Sequence, residues 1–216
     1  MNTPAIPERG WRGSADVWLD AAYQLLVEGG VEAVKVMPLA ERLGLSRTSF
    51  YWHFVDREAL LDGLIARWQS RNTDNLVKQT EKPAATITEA VLNLFDCWII
   101  QDLFDSRLEF AIRTWALTDP ALAKTLAAAD AARLAAIKAM FLRFGYSDAE
   151  ADIRAHTVYL TQIGYISMRV DEPLLPRLDR IPPYALTFTG RAPASDEVEA
   201  FRARHIHASR AKKASS

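Results

Sequence analysis

The stretch LAERLGLSRTSFYWHF, from Leu39 to Phe54, decides the fold of the N-terminal part of this chain. Residues 40–43 fit a short helix that ends at Gly44, since glycine readily adopts the left-handed conformation at a helix end. Ser46 is a suitable N-cap for a second short helix. Two short helices joined by a tight glycine turn predict a helix-turn-helix hairpin.

The second helix of this hairpin has two different faces. Helical periodicity places Phe50 and Phe54 on one face, where they are expected to pack against the apolar residues of the first helix. The rest of the helix is expected to face outward or lie on the flanks, with hydroxyl, aromatic, imidazole and guanidinium groups: Arg47, Thr48, Ser49, Tyr51, Trp52 and His53. Such a face suits the major groove of DNA, where these groups contact base edges, phosphates and thymine methyl groups.

A second interpretation of the hairpin stays open at this point. A helix packed on both faces, with Tyr51 and Trp52 buried against a neighbouring domain, gives the same local pattern. The chain would then be a helical small-molecule-binding protein or an enzyme whose hairpin is only structural.

Composition narrows the class of protein. The 216 residues are 50% hydrophobic, which fits one large domain or a small and a medium one. The 26 Lys and Arg nearly balance the 27 Asp and Glu, so overall charge gives no sign of a nucleic-acid partner. Residues 1–57 hold six basic and seven acidic residues. Any non-specific DNA affinity is therefore expected to be modest and strongly salt-dependent.

Motifs for membrane insertion and for catalysis are absent from the sequence. Cys97 is the single cysteine, and no apolar run approaches the roughly 18 residues of a membrane span. We therefore expect a cytoplasmic chain with no membrane segment. The sequence contains no Gly-rich phosphate loop, H-E-x-x-H, G-x-S-x-G or cysteine cluster. It predicts neither an enzyme nor a cofactor or metal site, and His205-x-His207 is only weak evidence for a metal.

The remaining chain is predicted to be all-α, because no segment shows sustained period-two alternation. Asp56 is a good N-cap for a long helix whose apolar stripe ends at Trp68. Thr86-x-x-Glu89 and Ser147-x-x-Glu150 are capping-box patterns that open two further helices. Four prolines after Asp171 predict only short helices there, followed by a last helix that starts near Ser195.

The segment from Trp18 to Leu61 resembles the TetR family of transcriptional repressors. The resemblance rests on Gly29-Gly30, Leu43-Gly44-Leu45-Ser46, Phe50-Tyr51-Trp52-His53-Phe54 and Asp56-Arg57-Glu58-Ala59-Leu60-Leu61. It implies an N-terminal helix-turn-helix DNA-binding domain over residues 1–57 and a helical effector-binding and dimerisation domain over residues 58–210. A basic flexible tail over residues 211–216 completes the predicted organisation.

The resemblance also implies roles for particular residues. Arg47, Thr48, Ser49, Tyr51, Trp52 and His53 match the recognition helix, and Arg57 matches a basic residue at the start of the connecting helix that suits a phosphate contact. Arg9 and Arg12 precede the first helix and are expected to reach the DNA. The family implies a homodimer, for which we expect the helix containing Gly164 and the segment near Phe201 to form the interface.

An effector pocket is expected in the second domain, because the family has one there and the segment from Thr86 to Val170 is rich in aromatic residues. Trp115, His156 and Tyr159 are the candidate effector contacts, although aromatics at helical spacing are usually core. The predicted function is that of a repressor that leaves its operator DNA when a small apolar or aromatic effector binds.

Overall fold

The computed structural model describes residues 13–214, with side chains described through Ile206. Every regular element in that range is helical, which confirms the predicted all-α fold class. The helices are α1 (Ala15–Gly29), α2 (Val36–Leu43), α3 (Arg47–Phe50), α4 (Arg57–Trp68), α5 (Asn75–Glu81), α6 (Ile87–Ile99), α7 (Ser106–Ala116), α8 (Pro120–Arg143), α9 (Asp148–Ser167), α10 (Leu174–Thr189) and α11 (Ser195–Ala214). A 3₁₀ turn at Val31–Ala33 follows α1.

The hairpin of α2 and α3 turns at a glycine, as predicted. Gly44 has a φ of 63°, in the left-handed region that favours glycine. The amide of Leu45 donates to the carbonyl of Ala40 at 2.9 Å, which satisfies an orphan carbonyl at the end of α2. Phe50 then packs edge-on against Trp18 of α1, with ring centroids 5.4 Å apart. These contacts hold α3 against the first two helices.

Helix starts use the caps that the sequence predicts. Ser46 Oγ accepts the amide of the third helical residue at 3.2 Å, and Asp56 Oδ1 does the same at 2.8 Å. Ser147 and Glu150 form a full capping box, with each side chain accepting the other residue's amide. At Thr86 the hydroxyl caps α6, but the carboxylate three residues on accepts the amide of the preceding residue instead. Each such cap stabilises its helix by about 1 kcal/mol.

The apolar core has two clusters. One joins α1–α4 to α7 and the first half of α8, and it contains Trp18, Phe50 and Trp115. The other joins α5 and α6 to the second half of α8 and to α9–α11, and it contains Phe95 and Tyr159. The first cluster continues across the domain boundary predicted at residue 57, so the N-terminal helices are seated on α7 rather than linked to it by an exposed connector.

The long helix predicted from Asp56 is present, but it changes its winding in the middle. α4 passes directly into a π-helical segment, Gln69–Asp74, and then into α5. π-helical turns are rare and are often found at functional sites. The segment was not predicted, because its hydrogen-bond partners come from helices far away in sequence.

The proline-rich region after Asp171 corrects the sequence prediction. It forms one helix of 16 residues, α10, with Pro182 and Pro183 inside it. Each internal proline removes one backbone hydrogen bond and is unfavourable by about 3 kcal/mol. The helix persists because its apolar side chains, including Ile181 and Phe188, are buried in the core of the second domain.

α11 begins at Ser195, as predicted, and it is docked along much of its length. Thr88 Oγ1 donates to Glu197 Oε2 at 2.7 Å, and His205 Nε2 lies 2.8 Å from Asp96 Oδ1. His205 is buried, so it pairs with a carboxylate rather than lying in a solvated tail. Phe201 is buried in the chain's own core, and the role of its segment in a dimer interface stays a prediction. The helix runs to Ala214, through most of the predicted flexible tail.

Between residues 13 and 214, no helix is both long enough and apolar enough to cross a bilayer.

Candidate nucleic-acid interface

The recognition surface consists of α3 and the turn that follows it. Trp52 is 62% exposed and Tyr51 is 46% exposed, whereas Phe50 is fully buried. Arg47 and Thr48 are exposed on the same side, and Phe54 is half-buried against Phe50. The outward orientation predicted for the guanidinium, the Thr48 hydroxyl, the phenol and the indole agrees with the structure.

α3 is shorter than the predicted helix, and a turn continues it. The helix ends at Phe50, and residues 51–53 form the turn. The amides of His53 and Phe54 both donate to the carbonyl of Phe50, at 2.9 and 3.1 Å. The aromatic residues therefore keep a helical course although the assigned helix ends earlier.

Two of the candidate DNA contacts face inward in this conformation. Ser49 is only 8% exposed, and its hydroxyl lies 2.9 Å from that of Ser46, so the outward orientation predicted for it is wrong. His53 is half-buried, and its Nε2 is enclosed with no hydrogen-bond partner among residues 13–206. The sequence pattern missed both because the N-cap and the following turn rotate these side chains toward the hairpin.

Arg57 bonds to the protein rather than facing outward. Its Nε donates to the carbonyl of Val34 at 2.6 Å, and its Nη2 donates to the carbonyl of Val31 at 2.8 Å. The side chain therefore fixes the segment between α1 and α2 to the start of α4. Its phosphate contact stays a prediction, and Arg9 and Arg12 lie outside the described residues.

The charges around the recognition surface are partly paired within the chain. Arg42 donates twice to Glu28, at 2.8 Å each, and this hydrogen-bonded guanidinium lowers the pKa of Glu28. Arg47 Nη2 lies 3.2 Å from the Tyr51 hydroxyl, and the guanidinium sits over that ring at 5.7 Å. Arg47 and Tyr51 thus present a joint cationic and aromatic group, which suits contacts with both phosphates and base edges.

Behind this surface, α4 and the π-helical segment Gln69–Asp74 form a connecting segment between the two domains. This connecting segment contacts a buried carboxylate. Glu109 of α7 is fully buried, and its Oε2 accepts from Trp68 Nε1 at 2.6 Å and from Asn72 Nδ2 at 2.9 Å. Its Oε1 accepts from Arg133 Nη1 at 2.8 Å. Burial alone would raise the pKa of Glu109, but the guanidinium of Arg133 outweighs it, and the pKa is lowered.

The network extends from Glu109 toward α8 and α9. Arg113 donates to Glu109 at 2.9 Å and to Asp130 at 2.5 Å, and the Tyr159 hydroxyl donates to Asp130 at 2.5 Å. Burial is the main cause of the raised pKa of Tyr159. Together these bonds tie the end of α4 and the π-helical segment to three helices of the second domain. Bonds between buried charged groups hold their geometry tightly, because breaking one leaves an uncompensated charge.

The predicted effector contacts do not share one site. Trp115 packs in the apolar cluster below the N-terminal helices, and Tyr159 is held in the charged network. His156 is exposed on α9, with Nδ1 2.9 Å from the carbonyl of Asp152. None of the three residues lines the open groove between α9 and α10 or the narrow cleft between α6, α9 and α10. Their role as effector contacts stays a prediction without support from the geometry.

Two clefts border α10. One is an open groove of about 450 Å³ between α9 and α10, and it includes Ile153 and Thr187. The other is a narrow cleft between α6, α9 and α10 with about 20 Å³ of free space. Among the residues that the structure describes, no three His, Cys, Asp or Glu side chains group as ligands for a metal ion.

Sequence reasoning missed the buried network and the narrow cleft for one reason. The charged residues Glu109 and Arg133 lie on otherwise apolar helical faces, which is the only local signal that they are buried. Apart from Arg113, which lies four positions after Glu109, their side-chain hydrogen-bond partners lie 24 to 60 positions away in sequence, so the pattern within one helix could not pair them.

Comparison with known proteins finds sequence similarity in the N-terminal part of the chain. Residues 19–64 match the sequence family described as bacterial regulatory proteins, tetR family. The tetracycline repressor protein class A from transposon 1721 of Escherichia coli is 39% identical over 61 residues, which is 28% of this chain and 28% of the relative. The uncharacterized HTH-type regulator YvkB of Bacillus subtilis is 33% identical over 63 residues, or 29% of this chain and 33% of the relative. The chain thus matches between a fifth and about a third of the length of these curated relatives.

Solved structures extend the likeness to the whole chain at the level of fold. The fatty acid degradation regulator FadR of Bacillus halodurans has a TM-score of 0.63 and 17% identity, covering 87% of this chain and 100% of that one. GusR of Salmonella enterica has a TM-score of 0.57 and 16% identity, covering 95% and 98%. At these identities the likeness concerns the fold alone.

Proposed function

We propose that this chain, whose residues 19–64 match the tetR family of bacterial regulatory proteins, is a ligand-responsive DNA-binding transcriptional regulator. In this proposal the protein is a repressor whose affinity for operator DNA falls when a small effector binds the second domain. The recognition residues are Arg47, Thr48, Tyr51 and Trp52, and the setting is the cytoplasm.

The recognition surface is the observation that carries this proposal. A side chain as large as Trp52 is usually buried unless it meets a partner, yet 62% of it is exposed here. The neighbouring Phe50 is fully buried, so the hairpin is already stable without covering the indole. A protruding helix with a guanidinium, a hydroxyl, a phenol and an indole on one side has the shape and the chemistry of a major-groove reader.

The connecting segment supports a switch between the two domains. Its first residue, Arg57, bonds to carbonyls between α1 and α2, and Trp68 and Asn72 bond to Glu109 in the second domain. A movement of α7 is therefore transmitted to the recognition surface through a helical segment fixed at both ends. An effector that favours the moved state by about 1.4 kcal/mol lowers operator affinity tenfold.

A homodimer is part of the proposal, since one recognition surface of this size reads one half-site. The exposed face of α9 supports it, because Ile153 and Leu160 are large apolar side chains in solvent. Gly164 lies on the same helix with no atom within 4 Å of where its Cβ would be. A partner helix can approach this face closely, and Leu186 of α10 extends it.

The test of DNA binding uses the purified chain and duplexes from its own genomic neighbourhood. We expect a mobility shift with at least one promoter fragment and a footprint of two half-sites about one helical turn apart. Failure to bind any of these fragments above a random duplex at low salt would refute the proposal.

The test of the dimer is light scattering on Gly164→Trp beside Ala132→Trp, an exposed position of α8, as a control outside the face. We expect the first variant to be monomeric and the second, which retains the α9 face, to be dimeric. A folded, dimeric Gly164→Trp protein would exclude this helix from the interface. A monomeric wild-type chain would refute the dimer itself.

A further inference from the structure

The narrow cleft between α6, α9 and α10 has an unusual set of polar groups. Its lining is mainly aromatic and aliphatic, and each of the three helices also contributes a polar group. The lining residues are Phe95, Trp98, Ile99, Gln162, Tyr165, Glu172, Arg177, Arg180, Ile181 and Tyr184. Ligand sites are typically concave and apolar with a few placed polar groups. Some of these polar groups are hydrogen-bonded within the chain, and others are not.

Hydrogen-bond donors remain unpaired in this cleft. The indole nitrogen of Trp98 is buried and has no hydrogen-bond partner among the described residues. The guanidinium of Arg177 is only partly buried, it makes no hydrogen bond or ion pair within the described part of the chain, and burial lowers its pKa. A buried donor without an acceptor destabilises a protein by about 1–3 kcal/mol, so such groups are normally satisfied.

The carboxylate and the two phenol hydroxyls of the cleft, by contrast, are already engaged. The carboxylate of Glu172 is bound by Arg180, and the resulting hydrogen bond lowers the pKa of Glu172. The hydroxyls of Tyr165 and Tyr184 lie 2.8 Å apart and bond to each other. Arg177 interacts with the Glu172 carboxylate only through space, because that carboxylate is hydrogen-bonded to Arg180, so no carboxylate of the cleft bonds Arg177 directly. The cleft therefore lacks one acceptor with a negative charge.

The helix that carries Arg177 is weakened next to the cleft. Pro182 and Pro183 of α10 cannot donate to the carbonyls one turn earlier, so two backbone bonds are absent there. This break separates Arg177 and Arg180 from Tyr184 on the same helix. The free space of about 20 Å³ holds about one water, so a larger molecule enters only if this turn moves. The missing bonds make such a movement easier.

We propose that this cleft is the effector site and that its ligand is a small carboxylic acid with an aromatic or alkyl body. The carboxylate pairs with the Arg177 guanidinium and accepts from the Trp98 indole, while the rings of Phe95 and Tyr184 contact the body. This inference rests on the proposed function for its regulatory meaning, but the binding itself does not depend on DNA. It replaces Trp115, His156 and Tyr159 as the expected ligand contacts.

The experiment is calorimetric titration of the full chain with benzoate, phenylacetate and octanoate, each beside its uncharged amide. We expect at least one acid to bind at least tenfold more tightly than its amide, because only the acid provides the missing charge. This comparison needs no variant, so it remains decisive if a substitution impairs folding. Amides that bind as tightly as the acids, or no binding by any acid, would overturn the proposal.

Variants locate the binding. We expect Arg177→Gln to weaken acid binding roughly 10–100-fold and Trp98→Phe several-fold, since hydrogen bonds to charged groups are the stronger ones. Arg107→Gln, an exposed arginine on α7 away from the cleft, is the control and is expected to bind as the wild type does. Wild-type affinity in a folded Arg177→Gln protein would also overturn the site.

The two proposals fail in different ways. If the chain binds operator DNA but no acid depends on Arg177, the cleft assignment is wrong and the regulator proposal stands. If acids bind through Arg177 but no promoter fragment is bound, the chain is a ligand-binding protein and the regulator proposal fails.

Discussion

The recognition surface and the interior of the second domain use similar side chains in opposite ways. On α3 and its turn, Arg47, Tyr51 and Trp52 face solvent around a small buried aromatic core. In the second domain, Arg133, Tyr159 and Trp68 are enclosed and bonded to Glu109, to Asp130 or to each other. The difference lies in exposure, because the interior groups are enclosed among their partners, whereas the surface groups present much of their area to solvent.

The two regions are expected to contribute differently to the free energy of unfolding. A solvated guanidinium or ring stabilises the fold little and is replaceable there, whereas an enclosed charge is tolerated only while all of its bonds persist. The interior network should therefore dominate the free energy of unfolding, and the recognition surface should dominate the affinity for DNA. Substitutions in both regions test that division.

The largest effect is expected from Glu109→Leu, which leaves the buried Arg133 with only the more distant Asp130 carboxylate at 3.6 Å and removes an acceptor from Trp68 and Asn72. We expect it to destabilise the protein by about 3–5 kcal/mol, because an incompletely compensated buried charge remains. Urea unfolding at fixed protein concentration measures this.

The double variant Glu109→Leu with Arg133→Met is the control for that interpretation. It removes both charges, so the loss should be clearly smaller than in the single variant. A double variant that is less stable than the single one would mean that shape, rather than charge, makes this site sensitive.

Acidification probes the same carboxylate with a smaller effect, because protonation removes its charge but leaves its atoms in place. The folded-state pKa of Glu109 is lowered below its unfolded value. Its contribution is therefore fully present above the unfolded pKa of about 4.3 and is lost as pH falls through the folded pKa. Between about pH 5 and pH 3, the wild type should lose more stability than Glu109→Gln.

Exposed Glu32→Gln provides the comparison for that pH series and should follow the wild-type curve. If Glu109→Gln followed the same curve, the acid sensitivity would have to come from other carboxylates.

The sequence was informative where a pattern is local and less so where partners are distant. The hairpin, the helix caps and the placement of Phe50 and Trp52 on opposite faces all follow from patterns within about ten residues. The starts of helices α6 and α9 follow from the N-cap residues Thr86 and Ser147 in the same way.

The failures share a physical cause. Tertiary burial keeps α10 helical across Pro182 and Pro183, which overrides their local preference. Arg57 turns inward because two carbonyls between α1 and α2 happen to lie within reach. Nothing in the spacing of Trp115, His156 and Tyr159 indicates that one is core, one is exposed and one is bonded in a charged network.

Trp52→Ala tests the surface side of the division. We expect a loss of about 1–3 kcal/mol in operator affinity, or roughly 5–150-fold, with a changed sequence preference. The free energy of unfolding should change by no more than about 0.5 kcal/mol, since the indole is mostly solvated. Fluorescence anisotropy with labelled operator and urea unfolding give the two values.

Phe50→Leu is the matched control for Trp52→Ala, because it changes the buried face of the same helix and leaves the surface groups in place. It should lower stability by about 1 kcal/mol and keep the sequence preference. If Trp52→Ala destabilised the fold more than Phe50→Leu did, the indole would be part of the core and the hairpin would be only structural.

The smallest expected effects come from two helix caps, one in each region. Ser46 Oγ accepts the amide of Ser49 and caps the four-residue α3, while Ser147 and Glu150 cap the 20-residue α9. Replacing either serine by alanine should lower stability by about 1 kcal/mol. The effects on DNA should differ, because a helix of one turn depends on its cap for its geometry, whereas α9 is held by packing along its length. We therefore expect Ser46→Ala to weaken operator binding several-fold and Ser147→Ala to leave it unchanged. Equal operator affinity in the two variants would show that α3 is fixed by the packing of Phe50 alone, and that the recognition surface does not depend on its cap.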